Sequence, residues 1–124
     1  YGLRKMKETR VKDWDERLIE RLRAAGSDPF QPHEVDFFMA MPSQGAGLAV
    51  QAILEGEGYR VDVKPAPDNP GDHPFSVHAT KSLRLSVPGM RELTVYFRGL
   101  AKDHCGHYDG WSAAVVPHDP VQPP

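Results

Sequence analysis

Along residues 11–29 apolar side chains recur at steps of three and four: Val11, Trp14, Leu18, Leu22 and Ala25, with Ile19 widening the stripe. That spacing predicts an amphipathic helix. Gly26 supplies a left-handed stop and Pro29 bars continuation. A stripe this long must bury against its own domain or a partner. From Glu34 to Met41 the period falls to two, which predicts a strand. Val35, Phe37, Met39 and Met41 share one face; Asp36, Phe38 and Ala40 share the other. SQGAGLAVQAILEGEGY then reads as a helix with Ser43 as N-cap, Ala49, Ala52 and Ile53 as inner stripe, and Gly56 or Gly58 at its end. YRVDVK alternates strictly, with Tyr59, Val61 and Val63 inward, as a half-buried antiparallel strand does. FSVHATK is a third strand, with Phe75, Val77 and Ala79 inward. From Met90 to Cys105 the helical period returns through Met90, Leu93, Phe97, Leu100 and Ala101, with Gly106 as the expected cap. HYDGWSAAVV is the fourth strand.

The order is a helix followed by β-α-β-β-α-β. Two interleaved β-α-β crossovers give an α+β fold of ferredoxin-like arrangement, a four-stranded antiparallel sheet with two helices on one face. The N-terminal helix is an addition. The divisions are residues 1–29, helix and cap; 30–116, the ferredoxin-like body; and 117–124, a Pro-rich tail that cannot form a core. The other sheet face stays bare unless the first helix reaches it, and Phe38 is expected to pack beneath that helix.

At 124 residues, with 40% hydrophobic and 26% charged side chains, the chain suits one modest core and is not disordered wholesale. It opens at Tyr1 rather than methionine, so a few native residues at the start are expected to be missing or replaced. A single cysteine, Cys105, excludes an intrachain disulfide and fits a reducing cytoplasm. No apolar run is long enough to span a membrane, and nothing reads as a signal peptide. Net charge is −2 but unevenly spread: residues 1–26 hold eight Lys/Arg against five Asp/Glu, and residues 27–124 hold seven against twelve. An acidic body is a poor nucleic-acid surface and favours a basic protein segment.

Little in the chain suggests catalysis. His104, Cys105 and His107 are metal-competent, but the helix-to-cap transition at Gly106 aims them apart and no second ligand pair exists. As a nucleophile Cys105 is disfavoured, because the last turn of a helix would bury it. GAGLAVQ lacks the Lys-Ser/Thr of a phosphate loop. The Lys/Arg run from Arg4 to Lys12 is broken by Glu8 and reads as a solvated face. An RNA recognition module shares this element order, but FSVHATK lacks the Lys/Arg-Gly-aromatic pattern that stacks bases. No catalytic residue, cofactor or metal site is therefore expected.

Tyr108-Asp109-Gly110-Trp111 opens the last strand. Asp109-Gly110 allows a bulge or bend, and Tyr108 and Trp111 supply apolar bodies with polar tips, suited either to packing as scaffold or to an interaction surface. ERLIERLRAAGSDP near the start, Gly58-Tyr59 before the second strand and LAKDHCGHYDGW near the end together resemble the RraB family, protein inhibitors of ribonuclease E. The resemblance covers about residues 13–116. It implies a non-enzymatic regulator that binds an RNase E-type endoribonuclease through its non-catalytic scaffold region and alters cleavage of a subset of transcripts. It implies no direct nucleic-acid contact and no membrane. The chain departs from well-known members in ending PHDPVQPP rather than in an acidic tail. Expected protein contacts are the carboxylates Asp36, Asp62, Asp103 and Asp109, with Tyr108 and Trp111 as aromatic anchors. Alternatives are a small-molecule- or metal-binding ferredoxin-like domain, and a homodimer formed through the exposed sheet or the first helix.

Overall fold

A computed structural model describes residues 14–28, 31–68 and 72–115. Val11, Pro29, the Arg4–Lys12 run and the Pro-rich tail lie outside the described residues. The elements are α1 (Trp14–Ala24), β1 (His33–Met41), α2 (Gln44–Gly56), β2 (Arg60–Pro65), β3 (Phe75–Leu83), α3 (Val87–Asp103) and β4 (His107–Ala113). The sheet runs β2-β3-β1-β4 and every neighbouring pair is antiparallel. This is the α+β arrangement read from the sequence. None of the described helices is long and apolar enough to cross a membrane.

β1 is the central strand, and its alternation sets the core. Val35, Phe37, Met39 and Met41 are buried toward the helices. Phe37 stacks on Phe97 of α3 at 4.3 Å, and Tyr59 meets both rings edge-on. Burial of such rings, with aromatic pairing in addition, is the main favourable term for a domain of this size.

α2 is capped as predicted, with Ser43 Oγ accepting from the Ala46 amide, but it is rotated from the predicted face. Gly47, Val50 and Leu54 are buried, whereas Ala49 and Ala52 are exposed and Ile53 is 39% exposed. AVQAIL is apolar nearly all round, so periodicity alone left the rotation open. Gly47 decides it: a Cβ there would come within 2.9 Å of Val63, so the glycine lets the helix seat close on the sheet.

The first helix joins the helical layer. Ile19 and Leu22 belong to the same core as Phe37 and Phe97, and α1 packs against α3. Its buried stripe runs Asp15, Ile19, Leu22, not through Trp14 and Ala25, which are exposed. Phe38 is therefore not covered by α1. It lies 38% exposed on the bare sheet face and stacks on His78 at 5.0 Å. Beside it Asp36 accepts from His78 Nε2 at 2.8 Å and from Thr80 Oγ1 at 3.1 Å.

α3 ends differently from expectation. The left-handed residue is Cys105, at φ 62°, and the Gly106 amide donates back to the Ala101 carbonyl at 2.7 Å. Gly106 is needed for space instead: a Cβ there would stand 2.6 Å from the Ala40 carbonyl oxygen and from Met41. Cys105 projects outward and is exposed, contrary to the burial expected of a last helical turn.

Candidate functional site

The start of β4 meets the N-terminal turn of α1 and the middle of α3. Met39 pairs with Tyr108 and Phe38 with Gly110, so Asp109 is the extra residue of a β-bulge. Gly110 takes φ +108°, a conformation that costs glycine little and other residues more. In a regular strand residues 108 and 111 would face opposite sides. The bulge inserts one residue, and both Tyr108 and Trp111 turn toward the helices.

Trp111 is 3% exposed, and its Nε1–H donates to Asp15 Oδ1 at 2.7 Å. Thr94 Oγ1 donates to the same oxygen at 2.8 Å. Asp15 itself is 5% exposed and sits in the first turn of α1, where the partial positive charge of the helix end favours a carboxylate. One carboxylate thus ties α1 to α3 and β4. The other end of α1 is fastened too. The His33 ring, 1% exposed, donates from Nδ1 to the Gln31 carbonyl at 3.0 Å, and its Nε2 shares a hydrogen bond with the Ser27 hydroxyl at 2.6 Å. The Gly-Ser-Asp and Tyr-Asp-Gly-Trp stretches therefore hold the two ends of one helix.

Tyr108 stacks on Phe97 at 5.6 Å, and its hydroxyl oxygen is buried without a hydrogen bond among the described residues. Burial pushes its pKa well above the ordinary value, and the Asp15 charge adds to the rise. Thr94 is near enough to temper the shift, but its proton goes to Asp15 and the contact with Tyr108 lacks hydrogen-bond geometry. Tyr96, whose hydroxyl donates to Glu57, is pushed up to about 12, first by burial and then by that carboxylate. Both tyrosines stay protonated in the fold at pH values where an unfolded chain, with a pKa of about 10, has released its protons. Their contribution is complete below about pH 10 and is lost as pH rises through the folded pKa values. Urea midpoints of the wild type should therefore fall more steeply between about pH 10 and 12 than those of a Tyr96→Phe/Tyr108→Phe variant. At neutral pH Tyr108→Phe alone should be neutral or stabilising by about 1 kcal/mol, because it removes an unsatisfied buried hydroxyl. A loss of more than about 1 kcal/mol would mean that the hydroxyl has a partner.

Beside this network lies a groove of about 440 Å³, lined by Trp14, Asp15, Arg91, Thr94, Val95, Arg98 and the bulged Tyr108-Asp109-Gly110 segment of β4. Trp14 is 51% exposed and Val95 is 69% exposed.

The six expected contact residues do not form one patch. Asp36 and Asp62 share the bare sheet face, Asp36 within the His78–Thr80 network and Asp62 beside Lys64 at 3.1 Å. Asp103 is the exposed last residue of α3, and Asp109 projects from the bulge, 3.4 Å from His107 Nε2. Trp111 is a buried strut and cannot be a surface anchor; Tyr108 offers only part of its ring. Nor do His104, Cys105 and His107 converge: His104 Nδ1 bonds the Leu100 carbonyl, and no group of three metal-competent side chains occurs among the described residues. Sequence reasoning missed Asp15 and Thr94. Their signal was present, since Asp15, Ile19 and Leu22 are spaced as a buried stripe and a buried indole needs an acceptor.

A comparison with curated proteins found no match. Among protein families, the one described as RraB, Regulator of ribonuclease activity B, matches residues 12–113, a span that takes in all seven elements and ends with β4.

Proposed function

We propose that the chain, which belongs to the RraB family, regulates an RNase E-type endoribonuclease by binding it in the cytoplasm and restraining RNA cleavage, with no chemistry of its own. The observation that carries this reading is the family match, which extends over the whole folded body of a family of ribonuclease regulators. The site supports a binding role. The buried Asp15 carboxylate is engaged by Trp111 and Thr94 in holding α1. Exposed carboxylates remain at Asp62, Asp103 and Asp109, and the body from residue 27 onward carries seven cations against twelve anions. Such a surface attracts an Arg- or Lys-rich segment, accelerates encounter, and does so less as salt rises.

Calorimetric titration of the chain with the purified nuclease of its host, including the non-catalytic region, tests the reading. Binding should weaken with salt. An Asp62→Lys/Asp103→Lys/Asp109→Lys variant should keep its thermal midpoint, because all three positions are exposed, and should bind about tenfold more weakly, a change of about 1.4 kcal/mol. Absence of heat at low salt would remove the nuclease as partner. Unchanged affinity in the triple variant would move the contact off these carboxylates.

A further inference from the structure

We propose that the groove between α1, α3 and β4 is a binding site for a small organic anion, a carboxylate or phosphate carried on a planar apolar body. Its volume of about 440 Å³ suits such a molecule, since small-molecule sites commonly span about 300–1,000 Å³. The two most exposed of the large apolar side chains among the described residues, Val95 and Trp14, both line it. Either alone would be ordinary on a surface; both in one concavity form an apolar wall that water covers poorly.

The charges in the groove are unequally satisfied. Asp15 Oδ1 takes the Trp111 and Thr94 protons, Arg91 faces Glu16 at 3.3 Å, and Asp109 faces His107. Arg98 has no ion-pair partner among the described residues. It follows Arg91 by seven positions, and Thr94 and Val95 lie between them, so all four side chains share one face of α3. A guanidinium fork beside an exposed indole suits a planar anion: the fork takes two oxygens of a carboxylate or phosphate, and the indole face takes the ring. Gly110 lies beside the indole, where a Cβ would stand in ordinary contact, 3.6 Å from Trp14 Nε1.

An occupant would touch all three elements at the point where α1 is tied down by Asp15. Binding would therefore stabilise the attachment of α1 by mass action. This proposal stands apart from nuclease binding, and its test needs no nuclease.

Titration of the full chain with benzoate, phenyl phosphate and, as cationic control, benzylamine, read by the indole N–H resonances of Trp14 and Trp111, decides it. Both anions should move the Trp14 resonance saturably in the millimolar range expected of fragment-sized ligands, and should raise the thermal midpoint; benzylamine should do neither. Arg98→Gln should weaken both anions roughly tenfold, whereas Arg98→Lys, which keeps the charge without the fork, should lose less. Val95→Glu, which adds a carboxylate to an exposed position, should abolish binding without unfolding the chain. The proposal fails if neither anion moves the Trp14 resonance, if benzylamine acts equally, or if Arg98→Gln and Val95→Glu both bind as the wild type does.

Discussion

Replacing Asp15 with alanine should cost the fold about 3–5 kcal/mol, far more than an acidic residue in the first turn of a surface helix would suggest. The substitution strands two buried donors, Trp111 Nε1 and Thr94 Oγ1, that now share one carboxylate oxygen. Each unsatisfied donor costs about 1–3 kcal/mol, and bonds to a charged acceptor are at the strong end of the range. Losing the carboxylate also removes a favourable charge at the helix N-terminus, worth about 0.3–1 kcal/mol. Asp15→Asn keeps an acceptor of the same size and should cost about half as much. The measurement is the urea midpoint at constant slope, with a double-mutant cycle against Trp111→Phe. If the two substitutions act through one hydrogen bond, their costs will be clearly less than additive. An Asp15→Ala loss below about 1 kcal/mol would show that α1 is held elsewhere.

The second large effect lies at Phe97. It is fully buried, stacks on Phe37 and Tyr108, and meets Tyr59 and Tyr96 edge-on. Phe97→Ala removes the centre of that cluster, and Phe→Ala changes in cores cost about 3–5 kcal/mol. Domains of this kind are stable by only about 5–15 kcal/mol, so the variant should be poorly folded at 37 °C. Phe97→Leu keeps most of the volume and should lose much less. Because the Tyr108 ring rests on Phe97, the alanine variant should also disturb the bulge beneath the Trp111–Asp15 bond. Near-UV circular dichroism should register that loss. Retained near-UV signal together with a small change in midpoint would contradict the cluster's place in the core.

These two residues also mark how far the sequence could be read. Phe97 was legible, because Met90, Leu93, Phe97, Leu100 and Ala101 keep helical spacing in an otherwise polar segment. β1 was legible for the same reason: alternation places Phe37 and Phe38 on opposite faces, although the first helix, expected to cover Phe38, packs on the other side. Where the pattern carried less information, the structure was decided by contacts. α2 is apolar around most of its circumference, so Gly47 packing on Val63 chose its face. Asp15 was hidden because hydrophobicity ranks a carboxylate as exposed, whereas two donors from residues 94 and 111 make its burial favourable. Whether Trp111 packs or binds stayed open for the matching reason: its partner is 96 positions away in the chain. The bulge at Asp109 was anticipated, but its consequence was not. The extra residue brings Tyr108 and Trp111 to the same side, where both pack toward the helices. Much of the Tyr-Asp-Gly-Trp signature thus serves the fold, and the groove beside it is bordered by residues that periodicity gave no reason to group.

Among the described residues the fold is a sheet braced by three helices, with the buried Asp15 carboxylate spent on holding α1. The described surface carries exposed carboxylates, an exposed indole at Trp14 and, beside it in the groove, the Arg98 guanidinium, groups suited to binding. The central claim is that the chain restrains a ribonuclease by contact. Its most direct test is cleavage of a defined RNA substrate by the host's purified RNase E-type nuclease, with the non-catalytic region present, at rising concentrations of the chain. Cleavage should slow saturably at concentrations matching the calorimetric affinity, while the chain alone leaves the RNA intact. Cleavage that proceeds at the same rate at saturating chain, or RNA loss caused by the chain itself, would contradict the account.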